Sequence, residues 1–311
     1  MNVVASSTPL DGPRPPLERS AQPPCVTDHG ARRMLVREIQ TTDLFELGAL
    51  LAEGFPKRRL EHWRAALRIL GKRPAIDGFP RYGYCLEDKG RLEGALLLLT
   101  ATIDGVTRSN LSSWYVRPRY RLLATLMHQR AVRTGGSIYL NLSPAAHTLR
   151  SIEALGFRPY TAGTLLVDAT SSVKIGDSIV RSLTPDLAST LTIDERRWVQ
   201  AHCHYGCDAL LLEDKEGPMI ALYRIKWLKR SIPAARFVAG DPERLAASSG
   251  PLMRALFPRG IPLALIDAPL LYTPARGIRH FPNRARRYAS SNGAPPAPGD
   301  LRETEVALFG A

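Results

Sequence analysis

Cysteine is scarce in this chain. Its 311 residues include only Cys25, Cys85, Cys203 and Cys207, too scattered for a disulfide framework, so a reduced compartment is expected. Long apolar runs are missing too. The most apolar stretch, Leu92 to Ala101, is the length of a strand and well short of the roughly 18 residues that read as a membrane span. The first residues, MNVVASSTPLDGPRPP, have neither the basic start nor the apolar core of a signal peptide, which makes the cytoplasm the expected location. Acidic residues are outnumbered, 29 Asp and Glu against 42 Lys and Arg, for a net charge of +13. Such an excess suits an anionic partner (nucleic acid, a membrane surface or a phosphorylated ligand) and equally a basic solvated surface. Separated metal-ligand pairs are absent as well. His202-Cys203-His204-Tyr205-Gly206-Cys207 crowds four possible ligands together, whereas a structural zinc site draws its ligands from separate hairpins, so no metal is expected.

What is present is a globular composition, 44% hydrophobic and 23% charged, on a chain long enough for one large or two medium domains. Residues 1–33, rich in Pro, Ser and Arg, read as a disordered tail. Leu35 to Ile39 is a short strand. Thr41-Thr42-Asp43 supplies helix-capping side chains, and Leu44, Leu47, Leu50 and Leu51 fall on one helical face. Lys57 to Leu70 forms a second amphipathic helix. Tyr82 to Leu86 and Leu92 to Thr102 are strands about a turn at Asp88 to Gly90.

Residues 111–160 organise the rest. Leu111 to Val116 is a strand that Pro118 ends, because proline cannot donate to a ladder. Leu122, Leu126 and Val132 mark a helix stopped by Gly135-Gly136. Ser137 to Leu142 is a short strand, and Leu149, Ile152 and Leu155 face inward on a helix ending at Gly156. Thr164 to Val167 is expected to close this first unit. From Val180-Arg181-Ser182-Leu183-Thr184-Pro185-Asp186 the strand-then-capped-helix opening repeats. Strands follow at Ala209 to Glu213, Met219 to Lys226, Ala235 to Ala239 and Ile261 to Asp267. Thr304 to Phe309 alternates and is expected to be a final strand.

Two motifs carry a family resemblance. Val116-x-Pro118-x-Tyr120-Arg121 followed by a helix, and Glu153-Ala154-Leu155-Gly156-Phe157-Arg158 at the end of the next one, resemble the central part of the GCN5-related N-acetyltransferase (GNAT) superfamily. The resemblance implies an α/β (α+β) fold, a mixed central sheet flanked by helices, in two tandem units. Residues 34–168 would be a GNAT-like acyltransferase domain and 173–311 a second, degenerate one. The departure from the family lies in the loop, where Ala124 and Leu126 stand at the positions of two glycines.

The resemblance also implies chemistry. An acetyl or other acyl group would pass from acyl-coenzyme A directly to an amine or hydroxyl acceptor, for which the basic charge admits an anion. Tyr115 and Val116, with Trp114, would line the acyl arm. Arg121, Leu122, Leu123, Ala124 and Thr125 would face the pyrophosphate, and Asn141 would lie on the opposite strand. The family's usual general acid falls at Ile152, which cannot serve. Ser143, Tyr160 and His147 are the candidates for acid or base instead, with Tyr139, Glu93 and Asp104 further possibilities. A second reading is a GNAT-derived binding or scaffold protein that no longer uses coenzyme A. A third is nucleic-acid binding through Arg276, Arg279, Arg284, Arg286 and Arg287, interleaved with His280, Phe281 and Tyr288; no RNA- or DNA-binding motif accompanies that cluster, so nucleic acid is not expected.

Overall fold

The computed structural model describes residues 34–170, 178–273, 277–290 and 293–310. The expected tail and Arg276 lie outside them. The first half runs β1 (Leu35–Glu38), α1 (Leu44–Gly54), α2 (Leu60–Lys72), β2 (Gly83–Asp88), β3 (Arg91–Ile103), β4 (Val106–Val116), α3 (Ala124–Val132), β5 (Ile138–Asn141), α4 (Leu149–Ala154), β6 (Phe157–Pro159) and β7 (Gly163–Asp168). The second runs β8 (Ile179–Ser182), α5 (Pro185–Ser189), α6 (Ile193–His204), β9 (Asp208–Asp214), β10 (Gly217–Leu228), β11 (Ile232–Ala239), α7 (Pro242–Ala247), α8 (Ser249–Leu256), β12 (Leu263–Ala268), β13 (Arg279–Pro282), β14 (Tyr288–Ser290) and α9 (Glu305–Phe309).

Among the described residues these strands form two mixed sheets, ordered β1-β2-β3-β4-β5-β14-β6 and β8-β9-β10-β11-β12-β7-β13. The orders correspond place by place. Each sheet has one parallel pair, β4 with β5 and β11 with β12, and antiparallel neighbours elsewhere. In the sixth place the halves trade strands. β14 enters the first sheet between β5 and β6, with Tyr288 opposite Asn141 and Pro159. β7 enters the second sheet, with Leu265 opposite Leu166. Thr164 to Val167, expected to close the first unit, therefore pairs in the second sheet. It lies between β12 and β13 there, paired on both sides, and a strand's own alternation does not name its neighbours.

The helices follow from their patterns. α1 buries Leu47, Leu50 and Leu51, and α2 buries Trp63, Ala66, Leu67 and Leu70, against one face of the first sheet. The same core continues into Leu222, Val238, Val306, Leu308 and Phe309 of the second half. On the opposite face Leu96, Leu98, Met127, Tyr139, Ile152 and Phe157 pack together. Ile152 thus spends its side chain on the core.

Thr304 to Phe309 is a helix, not the expected final strand. Its first turn closes with Leu308 N–H on Thr304 O, and Gly310 ends it at φ 68°, the left-handed position glycine favours. A Cβ there would lie 2.9 Å from Arg224 Nε. Arg224 Nη1 donates to the carbonyls of Tyr205 and Ala307, holding the helix end in place. His202 also serves this segment: its Nδ1 meets Trp198 O at 2.7 Å and its Nε2 accepts from Glu303 N–H at 3.2 Å. Among the described residues, no helix is long and apolar enough to cross a membrane.

Candidate functional site

The two central strands of the first sheet part company early. β4 and β5 pair only at Arg108–Asn110 with Ile138–Leu140, after which β4 continues to Val116. On its other side β4 bulges against β3: Ala95 faces Tyr115 and Leu97 faces Ser112, so two steps of β3 span three of β4. Ser113 takes the strain of that bulge at φ 52°. Bulges bend a strand and re-aim its side chains. Here the outcome is an open β4 edge beside a cavity of about 750 Å³.

The cavity is lined by Arg121, Ala124, Thr125, His147, Thr148 and Ser151, from the starts of α3 and α4. It is also lined by Gly54, Phe55, Arg58 and His62, from the end of α1 through the turn into α2, and by Glu305 and Phe309 from α9. Tyr115 of β4 lines it as well. Its hydroxyl donates to Glu53 at 2.9 Å, and its ring lies so close to α1 that a Cβ on Gly54 would come within 2.3 Å of it.

The residue that sequence reading missed is Glu305. It is 3% exposed, yet it lines the cavity. Its carboxylate accepts hydrogen bonds from the hydroxyls of Ser112 and Ser143, while its backbone N–H donates to Asn110 Oδ1 at 2.8 Å. Burial pushes its carboxyl up from the ordinary range. The two serine hydroxyls and the charges of Arg287 and Lys226 pull the other way, and burial wins. Its signal in the sequence was a carboxylate just after Thr304, a residue type common at helix starts, in an otherwise apolar run ended by Gly310.

Two further polar groups in the wall have no partner. Trp114 Nε1 and both ring nitrogens of His128 are buried without hydrogen bonds. His128 is packed between the rings of Trp114, at 5.6 Å, and Phe157, at 5.1 Å. Burial alone lowers its pKa to about 4, so the ring is neutral at physiological pH. Orphaned buried donors and acceptors cost about 1–3 kcal/mol each unless something meets them, and both residues face the cavity.

Of the expected cofactor residues, Tyr115, Val116, Arg121, Ala124, Thr125 and Asn141 line the cavity. Leu122 and Leu123 do not. They sit in a 3-10 turn, Pro118–Leu123, which turns Leu122 out to 96% exposure. The turn also closes the Ala124 N–H onto Arg121 O. Of the expected acid or base candidates, Ser143 and His147 reach the cavity. Tyr160 does not. It is 5% exposed beneath the sheet, and burial, with the charge of Asp267 adding to it, drives its phenol far above the ordinary range.

Other candidate carboxylates and cations are spent elsewhere. Glu93, 2% exposed, is held by Arg117 at 3.1 Å and Arg119 at 2.9 Å, and Asp104 pairs with Arg302. The described part of the 276–288 cluster is no single basic surface. Arg279 pairs with Asp168 at 2.8 Å. Arg287 is buried, bonded to the Leu142 carbonyl and to Asp267, which Arg236 also grips.

No protein-family model matches the chain, and no curated protein matches it. Solved structures do. A GCN5-related N-acetyltransferase from Anabaena variabilis aligns over 83% of this chain and 72% of its own, at 13% identity and a TM-score of 0.50. A tandem GNAT protein from the clavulanic acid biosynthesis pathway aligns over 85% of this chain and 100% of its own, also at 13% identity and 0.50. At such identity the likeness concerns the fold, and it agrees with the two mixed sheets of repeated strand order: the chain has the fold of a tandem GNAT protein.

Proposed function

We propose that the protein is an acyltransferase that moves an acetyl or other acyl group from acyl-coenzyme A to an amine or hydroxyl, with its working site in the first sheet. The observation that carries this reading is the open edge of β4 facing the cavity. The pantetheine arm of coenzyme A is a narrow chain with two amides, and the unpaired backbone groups of a strand edge suit such a chain. The orphaned nitrogens of Trp114 and His128 offer further partners to the same ligand. Arg121, with Thr125 and His147 beside it, is the group suited to phosphate oxygens.

In the proposed reaction the acceptor's lone pair attacks the thioester carbonyl carbon. The carbon–sulfur bond breaks, and the sulfur leaves as a thiolate that is then protonated. Glu305 takes the proton from the acceptor nitrogen or oxygen. Ser112 and Ser143 hold its two carboxylate oxygens, and its raised pKa makes it a stronger base than a solvated carboxylate.

Titration calorimetry with acetyl-coenzyme A and one longer acyl-coenzyme A tests the proposal. Micromolar binding, with thiol release in the presence of an acceptor, is the expected outcome. One observation favours a second reading, a binding protein that no longer uses coenzyme A: the 3-10 turn already occupies the Ala124 amide that a pyrophosphate would take. Absence of binding by folded protein selects that reading.

A further inference from the structure

The end of the cavity beside α9 has a charge imbalance. Arg58 lines it from the turn joining α1 to α2 and is half-buried. Its Nη2 donates to Gly310 O at 2.8 Å. Among the described residues no carboxylate lies within ion-pair distance of it, and its remaining guanidinium N–H groups have no hydrogen bond. Arg224 stands next to it, committed to backbone carbonyls at the end of α9. The helix-capping work is thus largely done by Arg224.

Nearby titratable groups record the same excess. Burial first, and then Arg224, lowers the Arg58 pKa. His62, which also lines this end, is lowered by burial and then by Arg58 and Arg224. Lys226 is brought to about 8 by burial and by four arginines, among them Arg58. A half-buried guanidinium facing a cavity with no anion beside it is costly unless a ligand supplies one. Glu305 does not fill that role. Its two oxygens are held by serines, and the cations that act on it are Arg287 and Lys226.

We propose that this end is the acceptor subsite, and that the acceptor is a small amine or hydroxyl compound carrying an oxyanion, carboxylate or phosphate, which Arg58 binds while Glu305 faces the nucleophile. This rests on the acyltransferase reading for the identity of the second substrate, but the anion subsite itself is independent of it. The coenzyme's own phosphates are the other possible source of an oxyanion. Arg121, at the start of α3, is already assigned to those phosphates, which leaves Arg58 to the acceptor.

The experiment compares charge-matched pairs as acceptors with acetyl-coenzyme A, reading thiol release. One pair is an amino acid and its carboxamide; another is a phosphorylated amino alcohol and the free amino alcohol. At least one anionic member is expected to exceed its neutral partner about tenfold or more in kcat/KM. Arg58→Gln, which keeps donors but loses the charge, should remove that preference through KM and leave acetyl-coenzyme A affinity as it was. Arg58→Lys should restore part of it. Equal rates within each pair, or a preference that survives Arg58→Gln, overturns the proposal. So does a tenfold loss of acetyl-coenzyme A affinity in Arg58→Gln, which would give the guanidinium to the cofactor. If acetyl-coenzyme A does not bind the wild type, the acyltransferase reading fails by itself. Calorimetry with the anionic compounds alone then decides the subsite: binding that Arg58→Gln abolishes upholds it, and no binding overturns it.

Discussion

The carboxylate of Glu305 accepts a hydrogen bond from the hydroxyl of Ser112, a residue 193 positions earlier in the chain. The last helix of the second half thereby supplies the buried acid of a cavity whose strands belong to the first. Replacing Glu305 by Gln should lower kcat/KM by roughly 10²–10⁴-fold, the usual span for losing a general base. Wild-type kcat/KM should rise with pH through a value above the ordinary carboxylate range, and the variant should lack that limb.

The same substitution should not weaken the fold. A carboxyl whose folded pKa is raised contributes stability that is full below its unfolded pKa and lost as pH rises through the folded one. Above its raised folded pKa the charged Glu305 is therefore a burden. Glu305→Gln should melt at or above the wild-type temperature there, with the gap closing as pH falls. Thermal melts across that range provide the check, and a large loss of stability at pH 7 would contradict the buried, charged placement.

Asp267 has the opposite role. It is 1% exposed, and both Arg236 and Arg287 converge on it. Arg287 also reaches the Leu142 carbonyl at the end of β5, so the cluster ties the second sheet to the first. Asp267→Ala leaves two buried guanidinium groups without a counter-charge. A loss of roughly 3–5 kcal/mol in urea unfolding is expected, the range for breaking a buried pair from one side.

His128 should give the protein an acid-sensitive limb of stability. Its imidazole pKa is lowered from 6.5 to about 4, so the unfolded chain binds the extra proton between those values. Stability from this group is complete above pH 6.5 and declines as pH falls toward 4, by on the order of 3 kcal/mol in total. His128→Phe, which suits the pocket between Trp114 and Phe157, should remove that slope in pH-dependent unfolding while keeping the fold.

Arg121→Ala should weaken acetyl-coenzyme A binding about tenfold at low salt and less at high salt, because a partly exposed guanidinium acts through screened charge. Calorimetry at two ionic strengths measures both effects. Identical affinity in variant and wild type would move the phosphates away from the start of α3.

Much of this architecture could be read from local pattern. The apolar face Leu47, Leu50 and Leu51 announced α1. The run from Leu111 to Gly156 announced the strand, helix, strand and helix that frame the cavity, since each element's period and stop signals lie within it. The trade of β7 for β14 was not legible. A three-residue strand such as Tyr288–Ser290 carries no register of its own, and its partners lie far away in sequence. Glu305 was hidden for a related reason. Five residues with alternating bulk read as strand as readily as helix, and only the bond from the Glu305 N–H to Asn110 and the packing of Phe309 decide. Tyr160 had the right chemistry, but its burial beneath the sheet comes from that same exchange, through the Arg287 carbonyl that its backbone N–H meets.

The exchanged strands also set the order in which the chain can mature on the ribosome. The slot between β5 and β6 stays vacant until β14 emerges, so Leu140 must wait for Ala289. All that time the edges flanking the slot can pair with a wrong strand. Neither sheet can be finished before most of the other has been made. A half with no chemistry of its own would still be indispensable, as the template on which its neighbour is completed.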